Sequence, residues 1–130
     1  MRLEGLPVAK SNFKDWPAMA KGLNPAVGEL RRSAPEAMKA FAEMGQAALA
    51  PGALDTKTKE LMALAISVAL RCDPCITYHA SAAQRQGATR EEVAEAMSLA
   101  LYMGAGPSAM YAAQVLEAFD QYTEKAAGAA

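Results

Sequence analysis

A chain of 130 residues with 13 basic and 14 acidic side chains, for a formal charge of −1, is long enough for one domain with a proper core and too short to promise two, so one domain is expected. So even a balance, without a long like-charged block, gives no electrostatic grip on nucleic acid or an anionic membrane, and neither is expected as a partner. The longest apolar stretch, Leu61 to Leu70, is about half the roughly 20 residues that a bilayer span needs.

Met1 to Lys10 contains Gly5 and Pro7 but no apolar core of a signal peptide, so a cytoplasmic location is expected. Alanine, leucine and methionine are abundant, aromatic residues make up 6%, and no segment alternates apolar and polar residues as a half-buried strand would. The fold class expected is all-α, with about six helices. Residues 1–34 read as a loosely organised N-terminal arm. Pro7, Pro17 and Gly22 interrupt it, and Asn24-Pro25 opens one short helix through Arg31.

Ser33 and Glu36 have the spacing of a capping box, and Met38, Phe41 and Met44 follow as an apolar face. This helix closes before Pro51-Gly52. Asp55 is the N-cap expected for the next one, whose apolar body stops near Cys72. Asp73 then suits an N-cap and Pro74 a first helical position, which sets the C-x-x-C pair at the N-terminus of a central helix ending at Gly87. Thr89 and Glu92 form another capping-box pattern for a helix running to Gly104. The turn Gly104-Ala105-Gly106-Pro107 leads to a last helix carrying Met110, Val115, Leu116 and Phe119. The helical domain is expected over 35–124, and 125–130 as a frayed tail.

Cys72, Cys75 and the only histidine, His79, stand close together. A thiol at a helix N-terminus faces unpaired backbone N–H groups and the positive end of the dipole, which favour thiolate. Cys75 is therefore the better nucleophile. Arg71 helps it by charge and Asp73 opposes it. Cysteines three apart at a helix start approach the roughly 5.5–6 Å Cα separation that a disulfide prefers. A peroxide can be reduced by such a pair: Cys75 attacks the O–O bond and becomes a sulfenic acid, and Cys72 condenses with it. His79, four residues on and on the same helical face, is placed to take the Cys75 proton, and Glu60 to orient it. The depths along a simple helical hairpin do not match. Glu60 lies about 15 Å back from one helix end and His79 only about 8–10 Å into the next, at 1.5 Å per residue.

The full pattern E-x11-C-x2-C-x3-H, read at Glu60, Cys72, Cys75 and His79, resembles the signature of the AhpD-like alkyl hydroperoxidases, members of the carboxymuconolactone decarboxylase superfamily. The resemblance continues through Leu54 to Leu61, Cys75-Ile76-Thr77-Tyr78-His79, Gly87-Ala88-Thr89 and Met103 to Pro107, covering about residues 35–120. It implies an all-α fold and a Cys75 peroxidatic thiol. It also implies Cys72 as disulfide partner and proton donor, and a Glu60/His79 proton relay. Assembly as a homo-oligomer, often a hexamer built as a trimer of dimers, is implied as well. Well-studied peroxidase members can carry a further histidine between the cysteines, where this chain has Asp73 and Pro74. The decarboxylases of the superfamily generally lack the cysteine pair, so its name does not imply lactone decarboxylation here.

The function expected is thus thiol peroxidase or disulfide reductase, with no bound cofactor or metal, a hydroperoxide substrate, and a thiol or lipoyl protein as external electron donor. Three other readings stay open. The cysteines are a buried structural pair, or a thiol sensor or scaffold without turnover. Alternatively Glu60, Cys72, Cys75 and His79 are four zinc ligands in a helical module. A c-type haem needs histidine directly after the second cysteine, where Ile76 stands, and a thioredoxin-like site needs a preceding strand. Tyr78 and the methionines Met62, Met97, Met103 and Met110 read as packing or interface residues.

Overall fold

The structure is a computed structural model that describes residues 9–129. Met1 to Val8, which hold most of the segment read for a signal peptide, lie outside the described residues, as does Ala130. The described residues form α1 (Trp16–Ser33), α2 (Pro35–Leu49), α3 (Thr56–Leu70), α4 (Asp73–Arg85) and α5 (Arg90–Gly128), with no strand among them. The all-α expectation holds. The sixth helix is the second arm of α5, which leaves helical geometry at Ala105 (φ 55°, ψ −139°), inside the turn expected at Gly104 to Pro107.

From Trp16 onward, the N-terminal segment is more ordered than the sequence suggests. The short helix expected from Asn24 is instead the second half of the 18-residue α1. Asp15 caps that helix, its carboxylate accepting from Ala18 N–H at 3.0 Å. Pro17 sits in the first turn, where the missing N–H costs nothing, so it starts the helix rather than breaking it. Pro25 lies inside the helix without ending it. Trp16, fully buried at the start of α1, supplies the tertiary anchor.

The Ser33/Glu36 capping box does not form. Ser33 is the last residue of α1, and α2 starts at Pro35 from Ala34 with no side-chain cap. The chain simply kinks at Ala34 (φ −133°, ψ 64°) and continues. The tail expected to fray from 125 is helical through Gly128. Its alanines are strong helix formers, and no breaker precedes Gly128. The other local signals place their elements as expected. Asp55 caps α3 by accepting from Thr58 N–H at 2.7 Å, and Thr89 and Glu92 exchange both bonds of a capping box at the start of α5.

Helices α3, α4 and α5 pack against one another, and α1 lies on α4 and α5. Leu64, Val68, Ile76, Val93 and Val115 fill the shared interior with Trp16. Each such side chain stabilises the fold by about 1.5–3 kcal/mol on burial. Helix α2 touches only α1 and α3 and buries none of its residues. Phe41 and Met44, expected on its packed face, are exposed in the single chain.

Candidate functional site

The site grows from the α3–α4 turn. Helix α3 ends in a Schellman-type cap: Arg71 takes the left-handed conformation (φ 53°, ψ 46°). Arg71 N–H donates to Val68 and Cys72 N–H to Ser67, at 3.1 and 3.0 Å. Cys72, rather than the expected Asp73, is the N-cap of α4, and its sulfur accepts from Cys75 N–H at 3.2 Å. Asp73 and Pro74 occupy the first two helical positions. This shift by one residue puts both sulfurs at the dipole's positive end, and Cys72 and Cys75 form a disulfide with a Cα separation of 5.2 Å. Both cysteines are half-buried.

One turn beyond Cys75 on α4, His79 Nδ1 stands 2.6 Å from Glu60 Oε2. Glu60 is a carboxylate only 4% exposed, and His79 is half-buried. The depth mismatch of the helical hairpin is therefore overcome. An unwound turn does not do it, because only Arg71 and Cys72 separate the two helices. Helices α3 and α4 pack directly on one another, and the two side chains reach across between them. With a buried carboxylate holding Nδ1, the ring orientation is fixed and Nε2 is the nitrogen left for exchange.

Glu60, Cys72, Cys75 and His79 are thus grouped on two adjoining helices. In this oxidised form the sulfurs are joined to each other and the Glu60 oxygen is engaged by His79. Among the described residues no group of three or more such side chains is placed to hold a metal. Tyr78, beside His79, is directed to α1, where its hydroxyl donates to the side chain of Asn24.

Sequence reading missed what approaches the cysteines from the N-terminal segment. Lys14 Nζ is 2.5 Å from Asp73 Oδ2, between the two cysteines, and 2.6 Å from Gln114 Oε1. The segment itself is held by Glu117 on α5, a buried carboxylate. Its Oε1 accepts from Lys14 N–H and Trp16 Nε1–H at 2.9 and 2.8 Å. Its Oε2 accepts from Phe13 N–H at 2.9 Å and from the Ser11 hydroxyl. Burial alone pushes the Glu117 carboxyl up, but the bonds from Ser11, Lys14, Trp16 and Phe13 outweigh it and hold the group below its ordinary value. The signal for this clamp was a lone glutamate in an otherwise apolar register beside Val115, Ala118 and Phe119.

A cleft of about 840 Å³ opens near the other end of α4, where Gln84, Ala88, Arg90, Asp120 and Glu124 line it together with Lys10. None of the four site residues borders it.

Comparison with known proteins gives the site a context. The sequence model of the carboxymuconolactone decarboxylase family matches residues 35–118. An uncharacterised protein of Cupriavidus necator is 43% identical over 98 residues, 75% of this chain and 87% of that protein. The crystal structure of a carboxymuconolactone decarboxylase family protein from Legionella pneumophila superposes with a TM-score of 0.80 at 44% identity, covering 82% of this chain and 96% of the other. A Thermotoga maritima protein of the same family, described as a candidate for involvement in antioxidative response, gives 0.65 at 36% identity over 70% of this chain and 94% of its own.

Proposed function

The chain belongs to the carboxymuconolactone decarboxylase family, and from this and the geometry of its cysteine pair we propose that it is an AhpD-like thiol peroxidase and disulfide reductase. The observation that carries the reading is the Glu60–His79 pair, one helical turn from a Cys72–Cys75 disulfide at a helix N-terminus. Peroxide reduction needs a thiolate to cleave the O–O bond, a proton for the leaving oxygen and a second thiol to close the disulfide, roles that fall to Cys75, His79 and Cys72 once the pair is reduced.

In the reduced protein His79 takes the Cys75 proton, with Glu60 balancing the imidazolium. The Cys75 thiolate attacks one oxygen of the hydroperoxide, breaking the O–O bond. Cys75 becomes a sulfenic acid, and the departing alkoxide collects the proton from His79 as the alcohol. The Cys72 thiol then attacks the sulfenic sulfur, forming the disulfide and releasing water. An external dithiol, a thiol or lipoyl protein, reduces the disulfide and is itself oxidised. Per turn, hydroperoxide and dithiol become alcohol, water and disulfide. No bound cofactor enters this scheme, and a reducing compartment such as the cytoplasm supplies the thiols.

The same reading includes a homo-oligomer. Met62, Ile66 and Leu70 recur every four residues along α3 and are exposed, as are Phe41 and Met44 on α2 and Tyr102 and Met103 on α5. An apolar surface of that extent is expected to be covered. Leu70 ends its stripe two residues before Cys72, which favours a second reading: a sensor whose disulfide alters that interface without turnover. Wild-type protein and Cys75→Ser, supplied with an organic hydroperoxide and dithiol, separate the two. Consumption with transient disulfide in the wild type alone supports the peroxidase. Oxidation that changes assembly without consumption supports the sensor, and a wild type that stays reduced and inactive sinks both.

A further inference from the structure

The geometry points to Lys14 as a positioning residue for the cysteine pair: by neutralising Asp73, it makes the α4 N-terminus hospitable to thiolate and sets how readily the Cys72–Cys75 disulfide is reduced. This rests on the thiol-redox reading above.

Asp73 is the first residue of α4 and stands between the two cysteines. An uncompensated carboxylate there opposes a thiolate in the same turn, cancelling part of what the helix dipole offers. The compensating charge comes from 59 residues away in sequence, as Lys14 Nζ lies 2.5 Å from Asp73 Oδ2. The two side chains are 28% and 27% exposed, so solvent screens them less than a surface pair.

Lys14 is not a mobile surface lysine. Its ammonium also donates to Gln114 Oε1 at 2.6 Å. It lies over the rings of Phe13, Trp16 and Tyr111, 5.2, 5.4 and 6.0 Å from their centroids. Its backbone is pinned at both polar atoms, N–H to Glu117 Oε1 at 2.9 Å and carbonyl from Gln121 Nε2 at 2.7 Å. Two α5 residues thus fix the main chain, and aromatic rings fix the side chain, at a point that serves Asp73.

Two other charged residues lie near this turn: Arg71, the C-cap of α3, is exposed, and Glu60 is engaged by His79 of α4. Lys14 is the cation that contacts the residue between the sulfurs.

The test uses full-length wild type, Lys14→Met, Lys14→Arg, Asp73→Asn and the Lys14→Met/Asp73→Asn double variant, equilibrated in dithiothreitol redox buffers. The disulfide fraction is read by mass spectrometry and the thiolate fraction by ultraviolet absorbance. Lys14→Met is expected to move the equilibrium about threefold toward disulfide, ~14 mV more negative at 29.6 mV per decade, and to lower the thiolate fraction at neutral pH. Lys14→Arg should restore wild-type values, and so should the double variant, because removing the carboxylate removes the need for its partner. Lys14→Met with the wild-type equilibrium, whatever its melting temperature, overturns the proposal. So does a double variant no closer to wild type than Lys14→Met. A wild-type pair that cycles here while consuming no peroxide would defeat the peroxidase reading and leave this result to stand by its own shift.

Discussion

Nδ1 of His79 and Oε2 of Glu60 meet at 2.6 Å although the residues are 19 apart in sequence and belong to two unbroken helices. A carboxylate 4% exposed loses much of its hydration and gains from a charge partner. In the peroxidase proposed above, this is the pair that receives the proton taken from Cys75.

Glu60→Gln keeps the shape of the side chain and removes its charge. Peroxide-driven oxidation of Cys75 is expected to slow by about 10²-fold, the usual size of a lost acid–base contribution. Stopped-flow measurement of disulfide formation checks this, and an unchanged rate would remove Glu60 from the relay.

Glu117 makes the docking of the N-terminal segment sensitive to acid. Its folded-state value is held below 4.5 by the Ser11, Lys14, Trp16 and Phe13 bonds, which outweigh the upward push of burial. A depressed carboxyl contributes stability that is fully present above the unfolded value and is lost as pH falls through the lower, folded one. Trp16 is the only tryptophan and donates to Glu117, so its emission reports the event. A red shift is expected only below about pH 4.5. Glu117→Ala should show it at neutral pH, with a loss of about 2–4 kcal/mol in denaturant unfolding.

The break in α5 depends on small residues. A Cβ on Gly104 would overlap the Ser108 hydroxyl and lie 2.8 Å from Ser108 Cβ, and Ser108 is buried. Gly104→Ala should therefore destabilise by about 1–3 kcal/mol. Ala105 holds φ 55°, ψ −139°, a conformation that glycine adopts more easily, and Ala105→Gly is expected to stabilise by about 1 kcal/mol. Thermal unfolding of the two variants should move in opposite directions.

Assembly is tested on the α3 stripe. Ile66→Glu places a charge at the centre of the exposed row Met62, Ile66, Leu70. Light scattering should find wild type larger than a monomer and the variant reduced in mass, with helicity by circular dichroism unchanged. A monomeric wild type would show that the face serves no copy of this chain.

Much was legible locally. Asp55 before α3, the Thr89/Glu92 box before α5 and the stop at Gly104 to Pro107 are signals contained within one turn of chain, and the structure uses each of them. The same kind of signal misled at Ser33, because α1 had not yet ended there. It also misled at Pro17, where Asp15 two residues earlier marks a helix start. The C-x-x-C pair and its histidine could be grouped from spacing, since Cys72, Cys75 and His79 share one helix start.

Amino-acid order by itself determined the all-helical class, the break in α5 and the placement of the cysteines at a helix N-terminus, because period and capping act over three or four residues. Only the tertiary structure decided that Glu60 reaches His79, that Glu117 captures the segment from Ser11 to Trp16, and that Lys14 answers Asp73. Those contacts join residues 19 to 106 positions apart. Their geometry comes from how α1 and α3 pack on α4 and α5, and no pattern within a single helix records that packing.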